Sequence, residues 1–431
     1  MENYHLIGVK GSGMSALAQI LHDLGNNVQG EDIDSFLFTQ VPLETRNIPL
    51  FNFGDAPLTI DMKVIASNAF EDTHPSILRC KELGIHIYRY HHFIGDWMKR
   101  YTSIAVTGSH GKTTTTGMMT HTLNAIEPVC SLIGDGTGEG APNARLFVFE
   151  GCEYRRHFLA YEPQITVITN IDFDHPDYFS DINDVRDAFN EMASLSKKRL
   201  VVCGDDPQIR LLKLTTDVLY YGFEIDNDLR AANLVVESDG ITFDVYFKDI
   251  RINGFSIPLF GKHNVLNALA VIGVALELDY DINIIKKQLA TFSGVKRRFT
   301  ERQWGSNVII DDYAHHPVEI KATLEATRSK YPKKRIIGIF QPHTFSRMEK
   351  LIDDFAFSLK DADEVYLCQI FNSAREATGT ITINDLQLRI PGSQLVSERN
   401  FKSQMSPYDD SVLVFMGAGD IQKYQEVLFQ S

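Results

Sequence analysis

The 431-residue sequence is defined first by what it lacks. Its five cysteines, Cys80, Cys130, Cys152, Cys203 and Cys368, are odd in number and widely scattered, and none forms a CxxC pair. That spacing excludes a disulfide framework and a cysteine zinc site, and a reducing cytoplasm is the expected compartment. No window approaches the roughly 18 consecutive apolar residues of a membrane span, so no membrane association is expected. The run MENYHLIGVKGSGMSALAQIL places no basic stretch ahead of an apolar one, so no secretory signal is expected either. There is no low-complexity tract and no short-period repeat. Positive charge is also short: 42 Lys and Arg face 56 Asp and Glu, a net charge of −14 that argues against a nucleic-acid partner. Small phosphorylated ligands remain open, since glycine-loop amides and a few lysines suffice for them.

What is present falls into three blocks, more than one core at this length. The first opens with the strand YHLIGV, turns through KGSGMS and continues with helical spacing at Leu17, Ile20, Leu21 and Leu24. Strands at KVIAS and IHIYRY follow, giving a small parallel α/β domain over residues 1–98. The second, 99–296, opens at TSIAVTG and enters a helix near Lys112–Ala125. Strands RLFVFE, ITVITNI and RLVVCG continue the alternation. Residues 229–260 then alternate apolar and polar, with turn signals at SDG and NG that predict inserted antiparallel hairpins. GKHNVLNALAVIGVALEL returns to a mostly apolar helix. The third block, 297–431, carries strands NVIID, RIIGIF, EVYLCQI and VLVFMGAG and reads as a doubly wound α/β domain.

Five groups of residues carry the chemistry. Gly8, Gly11 and Gly13 lie between a strand and a helix, where amides and the helix N-terminus favour an anion. Their spacing is GxxGxG rather than GxGxxG. Glu31 or Asp32 falls near where a dinucleotide fold holds a ribose, which leaves NAD open at this point. VTGSHGKTTTT is a phosphate loop with two residues fewer than the usual P-loop. Loop amides, the Lys112 charge and the Thr113 hydroxyl are the parts needed to hold a triphosphate and magnesium. Candidate metal donors follow at two strand ends: the oxygens of Glu150 and Glu153, then those of Asn170, Asp172 and Asp174 with the imidazole of His175. His263, Asn264 and Asn267 open a helix, where the amides either cap it or meet an adenine edge. Asp311, Asp312, His315 and His316 form either a metal cluster or the wall of a substrate pocket, and His343 and Arg347 end the next strand.

With these stretches in order, the chain resembles the Mur ligase family over essentially its whole length. GVKGSGMSALA, the short GxxGKTT loop, TNIDFDHPDYF, GVKRRF, DDYAHHPVEI and MGAGDIQ carry the resemblance. It implies three α/β domains: a Rossmann-like N-terminal domain, a central P-loop-type ATPase domain with an antiparallel insertion, and a Rossmann-like C-terminal domain. It further implies an ATP-dependent amide ligase of peptidoglycan synthesis, with ATP and two magnesium ions. UDP-N-acetylmuramate and L-alanine are the expected substrates, and a monomer or weak homodimer the expected state. By the same resemblance, Gly8, Gly11, Ser12, Gly13, Met14 and Ser15 bind the UDP-sugar. Gly108, Ser109, His110, Gly111, Lys112, Thr113, Thr114, His263, Asn264, Asn267, Arg298 and Asp312 bind ATP. Thr113, Glu150 and His175 hold metal, His315, His316, His343 and Arg347 meet the amino acid, and Lys112, His175, His315 and Arg347 are catalytic. Two positions depart from the pattern: Cys152 stands where relatives often carry an acid, and Thr344 where many alanine-adding relatives have arginine. Rival readings are a murein-tripeptide recycling ligase, an NAD-dependent oxidoreductase and a nucleotide-gated interaction protein.

Overall fold

Three parallel-cored sheets order the chain in this computed structural model, which describes residues 1–371, 376 and 378–430. The first sheet runs Leu50–Asn52, Asn27–Asp32, Asn3–Ile7, Lys63–Ala66, Ile87–Arg89, all parallel. Strand order reverses beside Asn3–Ile7, and the glycine loop leaves that strand's C-terminal end, where such sheets open a crevice.

The central sheet has ten strands. Thr102–Thr107 lies between Ile165–Ile168 on one side and Leu146–Glu150 on the other. The phosphate loop therefore emerges with Asn170 on one flank and Glu150 on the other. The helix that follows, Lys112–Asn124, is rich in β-branched threonine and a poor helix former by propensity. Burial of Thr113, Thr115, Thr116, Met118 and Met119 holds it, and Gly117 admits the Val295 side chain against its backbone. Helix Ile182–Leu195 starts more conventionally. Asp181 accepts from the amides of Asn183 and Asp184, and Val185, Ala188, Phe189 and Met192 line its buried face.

The antiparallel insertion is the predicted pair of hairpins, Leu229–Glu237, Gly240–Phe247 and Ile250–Ile257. Its second turn differs from expectation. Lys248 and Asp249 form it, at φ 47° and 66°, while Asn253 and Gly254 sit inside the last strand beside a register shift. An Asn-Gly pair permits left-handed backbone, but here register decides where the turn falls.

The third sheet runs Thr300–Trp304, Asn307–Asp312, Ser411–Met416, Arg335–Phe340, Glu364–Leu367, Gln394–Leu395. It is parallel except for Thr300–Trp304, an antiparallel edge strand the sequence reading did not predict. Four of its five residues are exposed, so it has no apolar alternation to find.

Core packing divides the molecule unevenly. One apolar cluster runs continuously from Leu6 and Leu17 to Val201 and Phe292, fusing the first two sheets. Helix Ser12–Asp23 lies on the backbone of residues 136–140, and Gln19 donates to the Gly136 carbonyl at 2.7 Å. The third sheet has separate clusters of its own around Phe340 and Phe415. No described helix is long and apolar enough to cross a membrane.

Candidate active site

The short loop is braced from behind. Asn170 accepts from the His110 amide at 2.8 Å and donates to the His110 carbonyl at 3.0 Å, so both ends of its amide serve the loop. Thr169 donates its hydroxyl to the same carbonyl at 2.6 Å. Gly108 (φ 133°) and Gly111 (φ 80°) lie in left-handed backbone, and a Cβ on Gly108 would meet the Thr169 hydroxyl at 2.0 Å. Asn170, offered by the sequence as an oxygen donor for metal, is thus a brace.

Lys112 reaches back over the loop to the Ser109 carbonyl at 3.0 Å and to Glu153 at 2.9 Å. Burial alone would push its ammonium towards neutrality, but the Glu153 and Glu150 carboxylates hold its pKa above the ordinary value. Glu153 is itself 2% exposed and 3.6 Å from His175 Nε2. Burial would raise its pKa, yet the lysine and the histidine keep it low. Glu150 accepts from the Gly134 amide at 2.7 Å and meets the Thr113 hydroxyl, and burial pushes its pKa up. Two groups of donors therefore flank the lysine: the oxygens of Thr113 and Glu150, and the Glu153 carboxylate with the His175 imidazole. Such a donor set fits magnesium, because a cation would relieve the raised pKa of Glu150 and add to the hold on Glu153. The sequence offers Glu153 as a donor beside Glu150, but the resemblance does not include it among the metal residues. Glu150 marks a strand end in the sequence, whereas Glu153 reaches the lysine only through the fold of residues 151–153.

The acidic turn after Ile165–Ile168 sends Asp172, Asp174 and His175 to different places. Asp172 takes a hydrogen bond from His110 Nε2 at 2.9 Å, and Glu319 of the third domain lies 3.7 Å from the other ring nitrogen. Burial opposes protonation of His110, but these two carboxylates raise its pKa to about 9. The His316 ring, its pKa driven down to about 4 mainly by burial, packs tilted against His110 with centroids 4.6 Å apart. Asp174 pairs with Arg347, and His175 alone of the three faces Glu153.

The expected cluster of Asp311, Asp312, His315 and His316 does not assemble. Asp311 turns to Gln422 at 2.8 Å, and Asp312 accepts from the Phe299 and Ala314 amides at 2.9 and 2.8 Å. Burial raises the Asp312 pKa to about 6 despite Arg298. Among the described residues the group with metal-ligand spacing is instead His110, Asp172 and His316, already joined by an ion pair and a tilted ring contact.

Two cavities meet at the loop. One, of about 290 Å³, is lined by His110, Gly111, Thr114, His263, Asn264, Asn267, Arg298 and Asp312. Capping does not explain the asparagines: Gly261 occupies the N-cap without side-chain help, and Asn267 donates to Asn264 at 3.2 Å. The second cavity, about 1070 Å³, runs from Gly11, Ser12, Gly13 and Met14 past Lys112, Glu150 and Glu153 to His315. Gly8 and Ser15 stay out of it. Gly8 adjoins the Phe70 ring, and the fully buried Ser15 donates to the Thr39 carbonyl at 2.8 Å. Sequence reading missed Ser67, Asn68, Arg89 and His91, which line the same end. Their signal was position, at the C-terminal ends of KVIAS and IHIYRY.

Of the four residues expected to meet the amino acid, His315 alone lines this cleft. Its Nδ1 lies 3.1 Å from the Tyr313 carbonyl, and burial lowers its pKa. His343 stacks on Phe371 at 5.6 Å, His316 is engaged with His110, and Arg347 is 4% exposed. Lys197 and Lys198 pair at the surface with Glu162 and Glu277, each at 3.1 Å. The dinucleotide reading loses its ribose holder. Glu31 faces His5 and the Gly54 amide, while Asp32 accepts from the Lys10 and Ile33 amides.

Three family models match in chain order: the Mur ligase family catalytic domain over residues 3–102, the Mur ligase middle domain over 106–275, and the Mur ligase glutamate ligase domain over 297–419. The chain belongs to the Mur ligase family. It is an ATP-dependent acid–amino-acid ligase of peptidoglycan precursor synthesis. UDP-N-acetylmuramate-alanine ligase of Thermotoga maritima superposes with TM-score 0.82 at 27% identity, covering 100% of this chain and 99% of that one. The Neisseria meningitidis ligase that joins UDP-N-acetylmuramate to L-alanyl-γ-D-glutamyl-meso-diaminopimelate gives TM-score 0.61 at 25% identity, covering 69% of this Mur ligase and 100% of that chain. The MurF ligase of Thermotoga maritima, solved with ADP, shares the fold at TM-score 0.65 and 18% identity, covering 93% and 94%.

Proposed function

We propose that this Mur ligase joins L-alanine to the carboxylate of UDP-N-acetylmuramate, giving UDP-N-acetylmuramoyl-L-alanine, ADP and phosphate. The observation that carries the reading is the single cleft from the Ser12–Met14 loop, across Lys112, to His315. The sugar-linked carboxylate, the transferring phosphoryl group and the amine can then meet in one space. The full-length likeness to the alanine ligase of Thermotoga maritima supports alanine as the amine. In this reading the glycine loop takes the UDP-sugar in a first domain ending near 98. The smaller cavity takes adenine and ribose in a second ending near 296, and the third domain brings the amino acid.

A carboxylate is a poor electrophile. Its oxygen attacks the γ-phosphorus of ATP, ADP leaves, and an acyl phosphate results. The alanine nitrogen then adds to the acyl carbon, and the tetrahedral intermediate collapses with loss of phosphate. Lys112 is assigned to the charge on the transferring phosphoryl oxygens, a role for which its retained proton suits it. Thr113 with Glu150, and Glu153 with His175, are assigned to two magnesium ions, which when bound would neutralise phosphate charge and polarise its oxygens. His315 is assigned as the base for the alanine ammonium. A proton on Nδ1, donated to the Tyr313 carbonyl, leaves Nε2 as the acceptor, and burial keeps the ring neutral. Positioning by three domains supplies much of the rest.

The test is ATP-dependent phosphate release with UDP-N-acetylmuramate and, separately, L-alanine, glycine, L-serine and the L-Ala-γ-D-Glu-meso-diaminopimelate tripeptide. L-Alanine is expected to give the highest kcat/KM, and Lys112→Ala to lower turnover at least ~10³-fold while UDP-sugar binding persists. Preference for the tripeptide would favour the recycling reading, for which the Neisseria meningitidis neighbour stands. Turnover independent of any amine would remove both.

A further inference from the structure

Arg347 and Asp174 come from different domains and are both buried, at 4% and 7% exposure. Asp174 Oδ1 accepts from Arg347 Nε at 2.9 Å, from Arg347 Nη2 at 2.8 Å and from the His175 amide at 2.6 Å. Arg347 also donates from Nη1 to the His343 carbonyl at 3.4 Å. Burial disfavours both charges, yet the pair holds the Asp174 pKa well below the carboxylate range. Immediately beyond, His175 sits in left-handed backbone at φ 57°, strained for a residue with a side chain. Its ring faces Glu153, which in turn holds Lys112. A line of contacts therefore runs from helix Phe345–Leu359 of the third domain, through Arg347, Asp174, His175 and Glu153, to the lysine of the phosphate loop.

We propose that Arg347 is a positioning residue. Through Asp174 it fixes the turn that presents His175, so that the metal-side donors are in place only when the amino-acid domain is docked. This rests on the assignment of His175 and Glu153 to magnesium made above. It also reassigns Arg347 from the substrate carboxylate, since three of its guanidinium N–H groups already have protein acceptors. Without Arg347, Asp174 keeps a buried charge and loses the two donors that orient its carboxylate, so the strained His175 turn is released. Closure then does chemical work: an enzyme with its third domain away has a lysine and a triphosphate cradle but an incompletely held metal side. ATP is thereby protected from hydrolysis until the amine-bearing domain arrives.

Arg347→Ala, Arg347→Lys, the near-isosteric Asp174→Asn and the Asp174→Asn/Arg347→Ala double variant test this in the full-length protein. Manganese binding is titrated by electron paramagnetic resonance in the presence of a non-hydrolysable ATP analogue, alongside kcat and each KM. Expected is about tenfold weaker manganese binding in Arg347→Ala and Asp174→Asn, with Arg347→Lys between them and wild type. The KM for L-alanine should stay within about threefold, and the double variant should be no worse than either single one. A rise of about tenfold or more in the KM for L-alanine with unchanged manganese binding would instead place Arg347 on the substrate and overturn the proposal. So would wild-type manganese binding in Asp174→Asn, the variant that decides the matter if Arg347→Ala fails to fold. The manganese titration needs neither amine nor UDP-sugar, so it stands even if wild-type protein makes no amide from L-alanine.

Discussion

His110 carries a charge from the phosphate loop to the third domain. Its ring lies between Asp172 and Glu319, with the neutral His316 ring tilted against it. Glu319 further binds Arg298 at 3.3 Å, His315 Nδ1 at 3.1 Å and the His315 amide at 3.0 Å, so one carboxylate gathers the third domain's side of the contact. The folded pKa of about 9 lies above the free value of 6.5. The stabilisation is therefore fully present below about pH 6.5 and is lost as pH rises through about 9, on the order of 1–3 kcal/mol in all. In protein without nucleotide, thermal unfolding temperature should fall between pH 7 and 10, and His110→Gln should flatten that slope. An equal slope in the variant would show that another group titrates. None of this was legible in GSHGKTTTT, because Asp172 and Glu319 are 62 and 209 residues from His110 in sequence.

At the scale of elements, the seat of helix Ser12–Asp23 decides how the glycine loop faces the phosphate loop. The helix rests on bare backbone: a Cβ on Gly138 would lie 1.9 Å from the Ala16 carbonyl oxygen and one on Gly140 2.4 Å from that of Ile20. Gln19 and Arg46 add polar ties to Gly136 and Gly138. Gly138→Ala should cost about 1–3 kcal/mol through overpacking, and should lower kcat because the helix start moves relative to Lys112. Differential scanning calorimetry and steady-state kinetics on the same sample check both effects, and a variant matching wild type in each would mean the contact is soft. Strands that open the first two blocks, and the loops after them, were readable from apolar runs ending in glycine. Where side-chain periodicity was silent, reading failed: Thr300–Trp304 has an exposed face throughout, and the Lys248–Asp249 turn carries no glycine. Partners were less legible than positions. Lys112, Thr113, Glu150 and His315 line the cleft as their motifs suggested, while Ser15, His316 and Arg347 sit in motifs of the same kind and turn to protein partners.

The first two domains share one apolar core, while the third has cores of its own and meets them through charged pairs. Phosphate loop and glycine loop are thus carried on one core, whereas Arg347–Asp174 and His110–Glu319 join that core to the third domain. Such a body suits a reaction in which an activated acyl group must wait, shielded from water, for an amine carried by another domain. The acyl-phosphate route makes one demand that an acyl adenylate or uncoupled ATP hydrolysis does not share. If the sugar carboxylate attacks ATP, one of its oxygens must leave with phosphate when the amide forms. UDP-N-acetylmuramate labelled with ¹⁸O in its carboxylate, incubated with ATP and L-alanine, tests this by mass spectrometry of the released phosphate. The account predicts one ¹⁸O per phosphate in step with amide formation. Unlabelled phosphate released alongside the amide would contradict it.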